Sequence, residues 1–265
     1  MSVSLQFDAV PLPDTAVEAR VRAAMTENPR GISFGRVASL GAWFAGRQGD
    51  APPQPVGSPR VVVFAGDHGI AERKLSAFTP DASALQADEI DAGAAPVNTL
   101  ARAANAPVEL IRVSLKAPGS LICEGSGAID IEDAMSEEEF YRAAELGRAV
   151  ADRTIDSGCD LAIVGDIGVG NTTVTAALIG SLTFTEPVVA VGRGSGINDE
   201  VWKVKVAAVR DAMFRVRGFR EDTERVCAEL TGPDFAFLVG LIAQSAARRT
   251  PVLIGEAYPA LAAYV

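Results

Sequence analysis

Three glycine-rich stretches hold the residues whose types and spacing could do chemistry, and each follows a short apolar run: "AGDHG" (65–69), "GDIGVGNTT" (165–173) and "VGRGSGIND" (191–199). The second nearly spells a phosphate-binding P-loop. The pattern G-x-x-x-x-G-K-[ST] is met by Gly165, Gly170 and Thr172, but Asn171 stands where the lysine that reaches the outer phosphates belongs. Small residues let backbone N–H groups approach an anion, and Asn171, Thr172 and Thr173 open a helix whose positive end favours negative charge. The third stretch leads into "INDEVWKVK", where Lys203 falls in the first turn or two of the next helix and is expected to supply the missing cation. A charge pair about 4 Å apart is worth roughly 4 kcal/mol at an effective dielectric near 20.

Asp166 sits inside this cradle. An acid facing a bound phosphate would be repelled, so its carboxylate must face another part of the ligand. Beside a sugar it could stabilise positive charge at an anomeric carbon or accept a proton from an attacking group; equally, it could bind neighbouring backbone N–H groups and do no chemistry. The first stretch holds the sole histidine, His68, beside Asp67. No Ser or Cys nucleophile motif surrounds it, which argues against a catalytic triad. The pair could orient a ribose or hold loops together by hydrogen bonds, and the orienting role is the one expected. "GRGSG" lacks the G-x-G-x-x-G spacing and the acidic ribose anchor of a dehydrogenase.

The elements that must position these residues follow from the pattern between them. "RVVVFAG", "PVELIRVSL", "DLAIVG", "PVVAVG" and "TPVLIG" read as five buried strands, with helices expected at 81–104, 136–157, 171–182, 199–217 and 234–248. Strands alternating with helices predict a doubly wound α/β fold, with a mainly parallel sheet covered by helices on both faces and ligands beyond the strands' carboxyl ends. Ahead of the Pro-rich connector at 49–59, apolar spacing over 14–46 predicts two helices broken at "NPRG", hence a helical N-terminal subdomain (1–58) before an α/β nucleotide-binding domain (59–265).

The 265 residues carry a formal net charge of −10, the wrong sign for a nucleic-acid binder. Cys123, Cys159 and Cys227 are too scattered for a metal site or disulfide framework. "MSVSLQFDAV" lacks a signal-peptide pattern, and no window reaches the roughly 18 apolar residues of a membrane span, so a cytoplasmic location is expected.

Taken together, "NPRGISFGRVASL", "VVVFAGDHGIAERKLSAF", "DAGAAPVNTLAR", "EDAMSEEE", "GDIGVGNTT", "VGRGSGINDEVWKVK" and "ARRTPVLIG" span nearly the whole chain. The combination resembles the nicotinate-nucleotide:dimethylbenzimidazole phosphoribosyltransferase family of cobalamin nucleotide-loop assembly. The resemblance implies transfer of the phosphoribosyl group of nicotinate mononucleotide to 5,6-dimethylbenzimidazole or a related base, giving α-ribazole 5′-phosphate and nicotinate with inversion at C1′. It implies small-molecule substrates, no metal or other cofactor and a homodimer. It places phosphate contacts at Gly168, Gly192 and Lys203 and acceptor-base contacts at Ser76, Phe78 and Leu85.

The chain departs from the family pattern at several points. Asp166 replaces a glutamate, Phe78 and Leu85 replace a tyrosine and a glutamine, and Gly255-Glu256 replaces Asp-Gly. The family also continues into a segment whose glutamate serves as general base on the benzimidazole, and "ALAAYV" closes this sequence without it. The expectation is therefore either a fragment of an active enzyme or a diverged, non-catalytic nucleotide-binding paralogue.

Overall fold

The computed structural model describes residues 5–265; residues 1–4, at the head of the expected 1–58 unit, lie outside the described residues. The chain opens with α1 (Thr15–Glu27), α2 (Pro29–Ser33) and α3 (Arg36–Gln48) and then enters β1 (Pro59–Gly66). A 3-10 turn (Gly69–Arg73) leads to α4 (Ala82–Asp91), α5 (Pro96–Ala103) and β2 (Val108–Ser114). Next come α6 (Glu137–Asp156), β3 (Leu161–Ile167), α7 (Asn171–Thr183), α8 (Pro187–Ala190), α9 (Asp199–Arg215) and α10 (Thr223–Leu230). α11 (Pro233–Ala247), β4 (Val252–Ile254) and α12 (Ala257–Tyr264) finish it.

The strands form one parallel sheet in the order β2-β1-β3-β4. Its centre, β1, shows why the strand sequence is apolar throughout. Val62 and Phe64 point into the larger core with Phe237 and Leu241 of α11, while Val61, Val63 and Ala65 point into a second core with Ala87 and Ile90 of α4. Alternate side chains of a strand face opposite ways, so a strand covered on both faces loses the apolar-polar alternation. The doubly wound architecture is the predicted one. α1 and α3 pack on each other around Val17, Val21, Ala42 and Ala45, a small apolar cluster of their own. Among the described residues no helix is long and apolar enough to cross a membrane.

One expected strand is absent. "PVVAVG" forms the short helix α8, with Pro187 in its first turn and Val188 and Val189 exposed to solvent. Proline is suited to a first helical turn, where a missing N–H costs nothing, and the β-branched run misled because it packs against no sheet. The helix expected over 81–104 is two, divided where Gly93 takes φ 72° and Pro96 starts α5. Over 14–46, where two helices were expected, the short α2 adds a third.

Helix α6 begins where "AMSEEE" said it should: Ser136 and Glu139 form a reciprocal capping box. It packs along α11 with almost no gap between backbones. A Cβ on Gly147 would lie 1.9 Å from the Phe237 carbonyl oxygen, and one on Gly240 1.9 Å from that of Ala144. Forcing a methyl group into such a contact costs about 1–3 kcal/mol. Gly147→Ala is therefore expected to lower the melting temperature by about 2–4 °C per kcal/mol lost, whereas Gly218→Ala, with open space around it, leaves it unchanged. Differential scanning calorimetry on the two variants checks this.

Candidate active site

The carboxyl ends of β1, β3 and β4 and the starts of α7, α11 and α12 meet at one end of the sheet. Asp67 follows β1 directly and is buried; its carboxylate accepts the Lys116 N–H at 2.8 Å, and its own N–H and carbonyl bond to Ser114 and Ser126. Asp67 thus joins the exits of β1 and β2, the loop-holding role of the two weighed above. His68 is 2% exposed, its Nε2 3.4 Å from Asp234 Oδ2 in the first turn of α11. Tyr258 of α12 meets the imidazole edge-on at 6.1 Å.

Glycines make room for this group. A Cβ on Gly66 would come 2.8 Å from Asp234 Cγ, on Gly168 3.0 Å from His68 Nε2, and on Gly232 2.3 Å from Asp234 Oδ1. Gly168, expected as a phosphate contact, therefore has a packing reason to lack a side chain.

Asp166 lies within β3, paired with Phe64, and not one residue beyond the strand; Gly165 is likewise a strand residue, so the P-loop likeness covers sequence but not loop geometry. The turn proper is Gly168–Gly170. Ser83 of α4 holds it by accepting the Val169 N–H at 3.0 Å, and Gly170 caps α7 at φ 102°, where a side chain would be strained. Asn171 then bridges two sites. Its Nδ2 donates to Asp166 Oδ2, and its Oδ1 accepts the Thr172 N–H at 2.7 Å. Asp166 Oδ1 is buried and makes no hydrogen bond to the described residues. Burial, together with the nearby charge of Glu256, raises the Asp166 carboxyl to about 7, against the opposing pull of the Asn171 amide.

The cation that meets the cradle is Lys205, not Lys203. Lys203 is exposed and pairs with Glu200 at 2.8 Å, whereas Lys205 is 1% exposed and donates to Thr172 Oγ1 at 2.7 Å. Two residues along a helix is about 200° of rotation, which puts the two lysines on nearly opposite sides of α9. The sequence held the signal: Lys205, Ala208, Val209, Ala212 and Met213 form the buried stripe at helical spacing, so only Lys205 shares the inward face. Gly194, at φ 52°, lets the loop pass over this bond; a Cβ there would sit 2.8 Å from Thr172 Oγ1 and 3.0 Å from Lys205 Nζ. Burial lowers the ammonium to about 8. Gly192 stands in open space on the same loop.

Ser76 belongs to the loop after the 3-10 turn and is fastened to this loop. Ser195 Oγ lies 3.1 Å from Ser76 Oγ and accepts the Ala77 N–H at 2.8 Å. Phe78 and Leu85 are exposed rather than gathered into a closed pocket among the described residues. Sequence reasoning also missed Asp234 and Tyr258. Asp234 could have been noticed as the lone acid of its helix, directly ahead of the apolar run "FAFLVGLIA", but Tyr258 lies on α12, which carried no helix signal of its own.

A doubly wound α/β chain that gathers a buried lysine, a glycine turn at a helix start and a sunken carboxylate at the carboxyl ends of its strands has the make-up of an enzyme of the α/β class. Comparison with known proteins narrows this: a family model described as phosphoribosyltransferase matches residues 10–265, and the chain belongs to that family. A nicotinate-nucleotide–dimethylbenzimidazole phosphoribosyltransferase of Corynebacterium efficiens is 47% identical over 262 residues, covering 97% of this chain and 71% of that protein. The protein of the same name from Corynebacterium glutamicum strain R is 44% identical over 254 residues, covering 94% and 70%. The crystal structure of CobT from Thermus thermophilus matches with TM-score 0.85 at 30% identity, covering 94% of this chain and 77% of that one.

Proposed function

We propose that this chain transfers the phosphoribosyl group of nicotinate mononucleotide to 5,6-dimethylbenzimidazole or a related base, releasing nicotinate. The observation that carries the reading is the continuous hydrogen-bonded run Asp166–Asn171–Thr172–Lys205. It sets an acid at one end and a cation at the other. A ribose 5-phosphate at the point of transfer presents the complementary order, cationic at C1′ and anionic at the phosphate.

In this arrangement the phosphate lies at the start of α7, where Lys205, Thr172 and the helix terminus supply positive potential, with Gly192 and Gly194 keeping the covering loop slim. C1′ lies toward Asp166. An acceptor nitrogen attacks C1′ with its lone pair while the C1′–N bond to the pyridinium breaks. Those bonding electrons neutralise the pyridinium, so nicotinate leaves without needing a proton, and the acceptor's remaining N–H releases its proton afterwards. The Asp166 carboxylate stabilises the charge that builds on the ribose in between. Ser76, Phe78 and Leu85 border the side from which a flat base would come.

Mass spectrometry of a mixture of protein, nicotinate mononucleotide and dimethylbenzimidazole is expected to show α-ribazole 5′-phosphate and free nicotinate. Their absence at high protein concentration, with both substrates saturating, would sink the reading. The homodimer implied by the family resemblance is part of the proposal and is tested by sedimentation equilibrium.

A further inference from the structure

We infer that His68 and Asp234 form a buried pair near Asp166, a positioning pair in which the imidazole offsets part of the Asp234 charge that would otherwise oppose ionisation of the Asp166 carboxyl during phosphoribosyl transfer. The inference rests on the proposed function for its catalytic consequence, but not for its electrostatics.

The geometry is specific. Both side chains are at most 1% exposed and 3.4 Å apart, and three glycines, Gly66, Gly168 and Gly232, leave the space the pair fills. None of the pair's four side-chain nitrogen and oxygen atoms makes a well-formed hydrogen bond among the described residues, so the 3.4 Å contact is one of charge. Such a group is costly to keep in a core unless its charges compensate one another. The groups that face His68 come from every neighbouring element: Asp67 beside it, Asp166 of β3, Asp234 of α11 and Tyr258 of α12. Burial alone would strip the imidazole of its proton, yet the charge of Asp234, its contact with the ring and the charges of Asp67 and Asp166 outweigh burial and raise the His68 pKa above its ordinary 6.5. The imidazole thus keeps its proton more readily because Asp234 lies 3.4 Å away.

The consequence falls on Asp166, which faces Glu256, Asp234 and His68. With His68 neutral, Asp166 and Asp234 would be two uncompensated carboxylates in one dry space, and two such groups cannot both ionise cheaply. With His68 protonated, part of the Asp234 charge felt by Asp166 is offset, and the Asp166 carboxyl stays near 7 instead of climbing further.

His68 is the only histidine in the sequence, so a protein labelled with ¹⁵N-histidine gives a single imidazole to follow by NMR in the unaltered chain. A midpoint above the ordinary 6.5 is expected, and one at or below it would overturn the inference. The second measurement follows the Asp166 carboxyl by infrared difference spectroscopy in ligand-free protein, its band identified by its loss in Asp166→Asn. From about 7 in the parent, the midpoint should rise by about one pH unit in His68→Gln and fall in Asp234→Asn, and it should return to within about half a unit in the double variant. Midpoints that stay put in both single variants, or that move the same way, would overturn it. Neither measurement needs turnover. A protein without transferase activity that still shows these shifts would refute the function and leave the pair standing.

Discussion

Asp166→Asn is expected to slow turnover by about 10²–10³-fold, the usual loss when one preorganised group facing transition-state charge is removed. The same change should alter how both rate and stability depend on pH. The working form of Asp166 is the carboxylate, and its pKa of about 7 means that kcat/KM should climb as pH rises through neutrality and lose that limb in the variant. Stability runs the other way. An unfolded aspartate releases its proton near pH 4 and the folded one near 7, so between those values the native state holds the extra proton. Stability therefore falls as pH rises through that window and stays reduced above it. The asparagine has no such proton to lose. At pH 8 the variant should unfold at higher urea than the parent, while at pH 4 the two should nearly coincide. A slow enzyme that is also less stable at pH 8 would mean that Asp166 is chiefly a structural carboxylate.

Lys205→Met should weaken binding of nicotinate mononucleotide by about 1.5–3 kcal/mol, or roughly 10–150-fold, because a charge-assisted hydrogen bond to the phosphate is lost while the apolar stem is kept. Nicotinate riboside, which lacks the phosphate, should bind the two proteins alike. Lys203→Ala, on the exposed side of α9 and paired only with Glu200, should change either affinity by no more than about 0.5 kcal/mol. Isothermal titration calorimetry separates the cases, and an equal loss for nucleotide and riboside would show that Lys205 supports the fold rather than the phosphate. The high-pH limb of kcat/KM should follow the same residue: burial holds the Lys205 ammonium to about 8, so affinity for the phosphate declines as pH rises past that point.

Much of this site could be read from the sequence, and the parts that could not share a physical cause. The juxtaposition of Asp166, Asn171 and Thr172 at the candidate site was legible because local chemistry places them: an acid near the end of a strand, a glycine turn and a polar helix start are all decided within a few residues. β1 and the start of β3 were legible because burial on both faces leaves continuous apolar runs, and β2 because its β-branched and aliphatic residues are broken only by Glu109 and Arg112. The buried cation was placed at Lys203 instead of Lys205 because the choice depends on which face of α9 packs against α7, a signal carried only by the helical spacing of Lys205 with Ala208, Val209, Ala212 and Met213. Asp234 was overlooked because it comes into play only when α11, far along the chain, lays its first turn against His68. "PVVAVG" failed as a strand for a related reason. Its β-branched residues fit a sheet, but the segment packs against α7 and α9 and pairs with no strand.

The bond between Ser76 and Ser195 ties the loop proposed to border the acceptor base to the loop that covers the phosphate cradle. Two ligands on either side of such a tie are not independent. If donor binding stills the 192–198 loop, the 74–79 loop is stilled with it, and the ordering that the acceptor would otherwise have to supply has already been done. The benefit is reciprocal by thermodynamic necessity: whatever factor the nucleotide lends to the affinity for the base, the base lends back to the nucleotide. A hydroxyl pair on the rim would thus act as a coincidence detector, favouring the state in which both substrates are present over either half-filled one.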